Sequence, residues 1–214
     1  MTIDRFVRFG IVMIVALAAG ASAAHSATSF DFLFSMEKVQ NDTQYFLNLA
    51  VGNYGYQRAG LEPLLPQIRN VDADLPVLFF LQHASGWPLP QLVDLRARGA
   101  SWSVIFTRVD VPQDVLFVGI PDDPGPPYGN AWGYWKKNPR GARLRDQDVC
   151  GLVQIQLASQ WVGASAALVA QGYPRGVTAP MFVADKKGRP YHAKKAGPPA
   201  GHGPKKGHGK PKSH

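Results

Sequence analysis

Asp72-Ala73-Asp74-Leu75-Pro76-Val77-Leu78-Phe79-Phe80-Leu81-Gln82-His83-Ala84-Ser85-Gly86 is the stretch that decides the fold class. Two acids precede Leu75-Pro76, and proline is favoured in the first helical turn, where its missing N–H has no intrahelical partner to lose. Val77, Leu78, Phe80 and Leu81 follow, and Gly86 closes the segment. Phe79 leaves this helix apolar on nearly every side, so it belongs at the centre of a fold. A second strong helix lies downstream, with Asp146 as its expected cap and Val149, Leu152, Val153, Ile155, Gln156, Leu157 and Trp161 along its length. Gly163 breaks it.

Shorter helices fill the space around these two. Asn41 and Asp42 can cap a segment carrying Tyr45, Phe46, Leu49 and Ala50 at helical spacing, ended by Gly52 and Gly55. Residues 58–65 read as a short helix stopped by Pro66. Pro88 and Pro90 open the next, with Leu92, Val93 and Leu95 inward and Gln91, Asp94, Arg96 and Arg98 outward. Gly99 sits at a left-handed C-cap position. Ser101 suits the N-cap of 102–107, which turns Trp102, Ile105 and Phe106 inward. Pro112 opens a turn over 113–118 with Asp110 as its cap, and further helices are expected at 165–171 and 177–184.

Between these groups runs PDDPGPPYGNAWGYWKKNPRGAR, residues 121–143. Four prolines fall within its first seven residues and glycine recurs, so the reading is a long loop with neither helix nor strand pattern. A connection this long is usually functional or disordered. Its aromatics argue for an ordered loop that packs on something.

The fold expected is all-α, a small multi-helix bundle. One reading adds a repeat: Ala84-Ser85-Gly86-Trp87 and Ala158-Ser159-Gln160-Trp161 lie 74 apart, and Gly99 and Gly172 lie 73 apart. That reading is two pseudo-repeated helical hairpins around one core.

Charge is unevenly placed along the 214 residues. The net +8 divides into +9 for 186–214, which has no acid, +1 for 1–27, and −2 for 28–185. The body is nearly neutral and the tail carries the basicity, so partners of opposite charge belong to the tail first. From Lys186 the chain is Gly, Pro, Lys and His with almost nothing apolar, the composition of a disordered tail. At the other end Arg5 and Arg8 precede an apolar run, 11–19, too short for a span of roughly 20 residues. Small residues at Ala21 and Ala23, or Ser22 and Ala24, fit signal-peptide cleavage after Ala23 or Ala24. The expected organisation is a signal peptide (1–23), a helical domain (28–184) and a basic tail (185–214), in a periplasmic or secreted protein. The one cysteine, Cys150, reads as a buried, inert thiol with no nearby histidine.

Leu95-Arg96-Ala97-Arg98-Gly99-Ala100-Ser101-Trp102 and Gly125-Pro126-Pro127-Tyr128-Gly129-Asn130-Ala131-Trp132-Gly133-Tyr134-Trp135-Lys136-Lys137 resemble two motifs, LRxxGxSW and GPPYGxAxGxxKK, of a group of uncharacterised exported bacterial proteins. The resemblance spans roughly 46–172. It implies a small helical exported fold and supplies no activity. After Gly172 the chain departs from it, where Tyr-Pro-Arg-Gly weakens the last helix. The first motif also resembles a helix-turn-helix. Its recognition segment would be 112–118, which carries Asp114 and no Lys or Arg, whereas reading DNA needs phosphate-positioning cations. Specific DNA binding is therefore not expected.

The best binding candidate is the aromatic-basic loop. Tyr128, Trp132, Tyr134 and Trp135 offer flat apolar faces, and Lys136, Lys137 and Arg140 offer charge for carboxylates or phosphates. The bland reading is that this loop covers the core. Histidines 192, 202, 208 and 214 (His192, His202, His208, His214) form a weak metal candidate, opposed by nine surrounding cations. Catalytic signatures are lacking: no G-x-S-x-G, H-E-x-x-H, Walker loop or G-x-G-x-x-G occurs. The paired acids Asp146 and Asp148 fit a helix N-terminus, where the dipole explains them. The function expected is a non-enzymatic envelope protein, without cofactor, that binds an anionic polymer, a membrane surface or a protein partner through tail and loop. The alternatives are a periplasmic metal-binding protein and an enzyme using His83 with Asp94.

Overall fold

The computed structural model describes residues 30–138 and 144–190. The expected signal peptide, Arg140, the four tail histidines and all the tail beyond Pro190 lie outside the described residues. Among the described residues there are helices and turns and no strand. The α-helices are α1 (Asp42–Asn53), α2 (Arg58–Leu61), α3 (Val71–Ser85), α4 (Leu89–Ala97), α5 (Trp102–Arg108), α6 (Gly129–Lys137), α7 (Asp146–Val162), α8 (Ala166–Ala170) and α9 (Ala179–Lys186). The fold is an all-α multi-helix bundle.

Helix α7 is its axis. It packs along α3 and α9 and also touches α5 and α8, while α1 closes the bundle against α3 and α9. The two segments with the strongest apolar pattern therefore pair at the centre. Leu75, Val77, Leu78, Phe79 and Leu81 of α3 face Val149, Leu152, Val153, Ile155 and Leu157 of α7 in one core, each at most 1% exposed. Each such side chain contributes about 1.5–3 kcal/mol on leaving water. Both helices end at a left-handed glycine, Gly86 (φ 73°) and Gly163 (φ 65°), a conformation that costs other residues steric strain.

Helix α3 starts earlier than Leu75-Pro76 suggests. Asn70 caps it, its side chain accepting from the Ala73 N–H at 3.2 Å. Pro76 is thereby interior and buried, and the Asp72 carbonyl loses its intrahelical donor. The Nε2 of Gln154, on α7, donates to that carbonyl at 3.3 Å. The central helix pair thus repairs the break that the proline makes.

Three other expectations change. Asp146 does not cap α7: Arg145 occupies the N-cap, and Asp146, at the first helical position, serves another helix as described below. Asp110 is no cap either; it takes φ 57°, and Pro112 precedes a five-residue 3-10 turn, Gln113–Phe117. Leu116 and Phe117 of that turn are buried against the core, as a groove-reading helix could not be. The tetrapeptide repeat does not mark equivalent positions. Ala84-Ser85-Gly86-Trp87 runs over the end of α3, whereas Ala158-Ser159-Gln160-Trp161 lies inside α7, which is 17 residues long against 15.

Residues 129–137 form a helix, contrary to the loop reading. The four clustered prolines precede it, and the Gly129 N–H donates to the Gly125 carbonyl at 2.7 Å to start it. Asp123 Oδ1 accepts from the Gly125 N–H at 2.8 Å and fixes the turn before it. A side chain at Gly129 would stand 2.6 Å from that same oxygen, so Asp123 would have to give up its turn contact to admit one.

Candidate functional site

Two regions can meet a ligand: the outer face of α6 and a cleft at the meeting of helix N-termini.

On α6 the aromatic rings divide between two sides. Trp132 is half-buried and its Nε1 donates to the Ile120 carbonyl at 3.3 Å. Trp135, one turn on, stacks on Phe117 with ring centroids 4.5 Å apart. Its Nε1 is buried without a hydrogen-bond partner. Tyr134 turns outward and is 42% exposed. The Lys136 ammonium lies over both tryptophans, 5.1 Å from Trp132 and 5.0 Å from Trp135. Such contacts are worth about 0.5–1 kcal/mol at an exposed site. Lys137 is exposed beside it. The two lysines close the last turn of α6, where cations complement the helix dipole. The candidate residues therefore do not form a row. Trp132 and Trp135 hold the helix down, and Tyr134, Lys136 and Lys137 face solvent.

Tyr128 leaves this group altogether. It is 5% exposed and reaches into the cleft, where its hydroxyl and ring occupy the space that a side chain at Gly151 would need. Its ring meets Tyr173 edge-on at 4.9 Å. The Tyr173 hydroxyl accepts from the Ala179 N–H, the first of α9, at 3.0 Å. Burial, then the neighbouring Tyr173, pushes the Tyr128 phenol far above its ordinary pKa.

The cleft has a volume of about 770 Å3. The first turns of α1 (Thr43), α3 (Asn70, Asp72, Asp74), α7 (Asp146, Gln147) and α9 (Thr178, Pro180) all open on it. Four positive helix ends thus converge, and carboxylates in first turns are the expected compensation. At its floor Arg96 binds Asp74 at 3.2 Å and Asp146 at 2.5 Å, and donates to the Ala100 carbonyl at 3.0 Å. The guanidinium also covers the Trp102 ring at 4.5 Å. Burial opposes its charge, yet Asp146 and Asp74 outweigh that and raise its pKa. Asp146 in turn accepts from the Trp102 N–H at 2.8 Å, capping α5 across 44 residues of sequence. Arg96, expected outward, is therefore the clasp that joins α3, α4, α5 and α7.

Around this clasp every buried acid has a cation. Asp148, 4% exposed, takes two bonds from Arg145, at 2.8 and 3.0 Å. Cys150 is buried on the cleft wall. Burial, reinforced by the Asp74 charge, pushes its thiol up to about 12, so the sulfur stays protonated and inert at neutral pH. The Trp102 indole N–H is buried without a hydrogen-bond partner.

His83 is exposed, with its ring against Tyr54 at 5.7 Å, and Asp94 pairs with Arg98 at 2.8 Å. Neither lines the cleft. Among the described residues no group of three His, Cys, Asp or Glu side chains is placed to hold a metal, and no helix is long and apolar enough to cross a membrane.

Sequence reading missed the cleft and its residues Asp74, Arg96 and Asp146. The signal for α6 was present in the spacing Tyr128, Ala131, Trp132, Trp135, one helical face, and was masked by the prolines before it. The resemblance motifs meet here: Arg96 and Gly99 of the first and Tyr128 of the second line the same cleft. No family model, curated protein or solved structure matches the chain.

Proposed function

We propose that the chain is a non-enzymatic protein of the bacterial envelope, exported and cleaved after Ala23 or Ala24, that attaches to an anionic polymer or membrane surface. Its basic C-terminal residues supply the attraction and the outer face of α6 supplies a contact. The observation that carries this reading is the placement of cations. In the body, Arg58, Arg96, Arg98, Arg145 and Arg189 pair with carboxylates. Lys136 and Lys137 have no carboxylate partner among the described residues, and they stand beside an exposed tyrosine and two tryptophan rings. Paired cations serve the fold; unpaired ones beside aromatic rings suit an external anion. The other eight cations of 186–214, with no acid among them, extend the same chemistry.

The test is co-sedimentation with peptidoglycan sacculi and with phosphatidylglycerol vesicles. The truncated form should end at Pro190 rather than before Lys186, because α9 runs through Lys186 and Arg189 binds Asp42 at 3.2 Å. Full-length protein is expected to pellet at low salt and to be released as salt rises, since screening removes the attraction. The truncated form, and the Lys136→Glu/Lys137→Glu variant, should be retained less. Equal and negligible retention of all forms at low salt would dispose of the reading.

A further inference from the structure

We infer that the cleft between the first turns of α1, α3, α7 and α9 is a binding site for an uncharged saccharide chain carrying hydroxyl and amide groups. This goes beyond attachment through the tail and α6, because it places a second site on the body and gives it a ligand of different character. The volume of about 770 Å3 falls in the range of roughly 300–1,000 Å3 that small-ligand sites occupy.

The lining selects by charge. Three carboxylates, Asp72, Asp74 and Asp146, face two guanidiniums, Arg69 and Arg96, so a polyanion is disfavoured. Arg96 is already satisfied by Asp74, Asp146 and the Ala100 carbonyl, so the floor offers no free cation to an anion. What remains open is the rim. Gln147 is exposed with no partner among the described residues, and the Gln154 amide uses one N–H on the Asp72 carbonyl and keeps its oxygen. Arg69 makes one bond, at 3.3 Å, to the Ala97 carbonyl. The Thr43 hydroxyl stands on the same wall. Amides and hydroxyls both give and take hydrogen bonds, the complement of a sugar, whose every hydroxyl does the same. The half-buried Tyr173 ring supplies an apolar face for the C–H side of a pyranose.

The probe is the neutral trisaccharide of N-acetylglucosamine, titrated into the full-length 15N-labelled protein and followed by chemical shifts. The side-chain amides of Gln147 and Gln154 are expected to move, with the same Kd at low and high salt. Gln147→Ala and Arg69→Ala should each weaken binding about fivefold, the loss of one hydrogen bond of about 1 kcal/mol. Both side chains are exposed, and an unchanged far-UV circular dichroism spectrum confirms that the fold is intact. Lys137→Glu should leave this Kd unaltered while weakening retention on anionic vesicles, which separates the two sites. Absence of shifts at millimolar trisaccharide would overturn the inference. So would shifts produced by trilysine or an oligogalacturonate but not by the neutral sugar, or an affinity indifferent to Gln147→Ala.

Discussion

Replacing Arg96 by methionine should be among the most damaging single changes near the surface of this protein. The side chain is 21% exposed and holds Asp74, itself 4% exposed, together with Asp146, 37% exposed. Removing one partner of a buried pair leaves an uncompensated charge and costs about 3–5 kcal/mol. The partial exposure of Arg96 and Asp146 lets water relieve some of that, so the lower end, about 3 kcal/mol, is the expected loss. For a domain of this size that corresponds to a fall in Tm of about 6–12 °C. Methionine keeps most of the packing volume over Trp102, so the measurement isolates the charge. If the damage comes from the stranded Asp74 carboxylate, then Arg96→Met/Asp74→Asn should recover at least half of it. The two changes would then be non-additive by at least about 1.5 kcal/mol, increased by whatever Asp74→Asn costs alone, within the usual range for contacting residues. Urea unfolding followed by far-UV circular dichroism measures all three variants. Arg98→Ala is the control, since its pair with Asp94 is 75% and 50% exposed, and it should leave the midpoint where it was. A single-variant loss under about 1 kcal/mol, or additivity within about 0.5 kcal/mol, would refute the clasp.

Three further outcomes follow from the same neighbourhood. Gly151→Ala drives a methyl into the Tyr128 hydroxyl and ring and should cost about 1–3 kcal/mol; an unaltered thermal midpoint would contradict the placement of Tyr128. Gln154→Ala should cost about 0.5 kcal/mol by leaving the exposed Asp72 carbonyl to water, and clearly less in a Pro76→Ala background, where residue 76 regains the N–H that serves that carbonyl. Cys150 should resist thiol reagents in the folded protein at neutral pH and react on unfolding. Its folded pKa is raised to about 12 against an ordinary value of 9.0, so its stabilising share is complete below about pH 9 and is lost as pH climbs towards 12. Tyr54 and Tyr56, both pushed up to about 12 by burial, act in the same alkaline window. Urea midpoints across that window, with Cys150→Ala declining less steeply, check the sign.

Much of the bundle is legible in the sequence. Ser101 caps α5 and accepts from the Val104 N–H at 3.4 Å, and Trp102, Ile105 and Phe106 are buried as their spacing requires. Gly86 and Gly163 end the two central helices. Two of the failures share a cause. Asp146 looked like the cap of its own helix and instead caps α5, and Arg96 looked like a solvated residue on the outer side of α4. Each is a polar side chain whose partner is remote in the chain: Arg96 meets Asp74 across 22 residues and Asp146 across 50. A rule that sorts polar residues outward has no term for a carboxylate arriving from another helix.

The apolar periods and the glycine and serine punctuation determined by themselves that this chain is helical and that α3 and α7 are its centre. Those signals are local: a helix bonds each residue to the one four away, and its buried stripe is written at the same spacing. The tertiary structure alone decided that four helix beginnings meet at one cleft and that Tyr128 points there rather than outward with Tyr134. It also decided that a guanidinium ties the floor together. Which helix ends meet depends on how the elements pack, and a charge buried where they meet is stable only because its partner arrives through space.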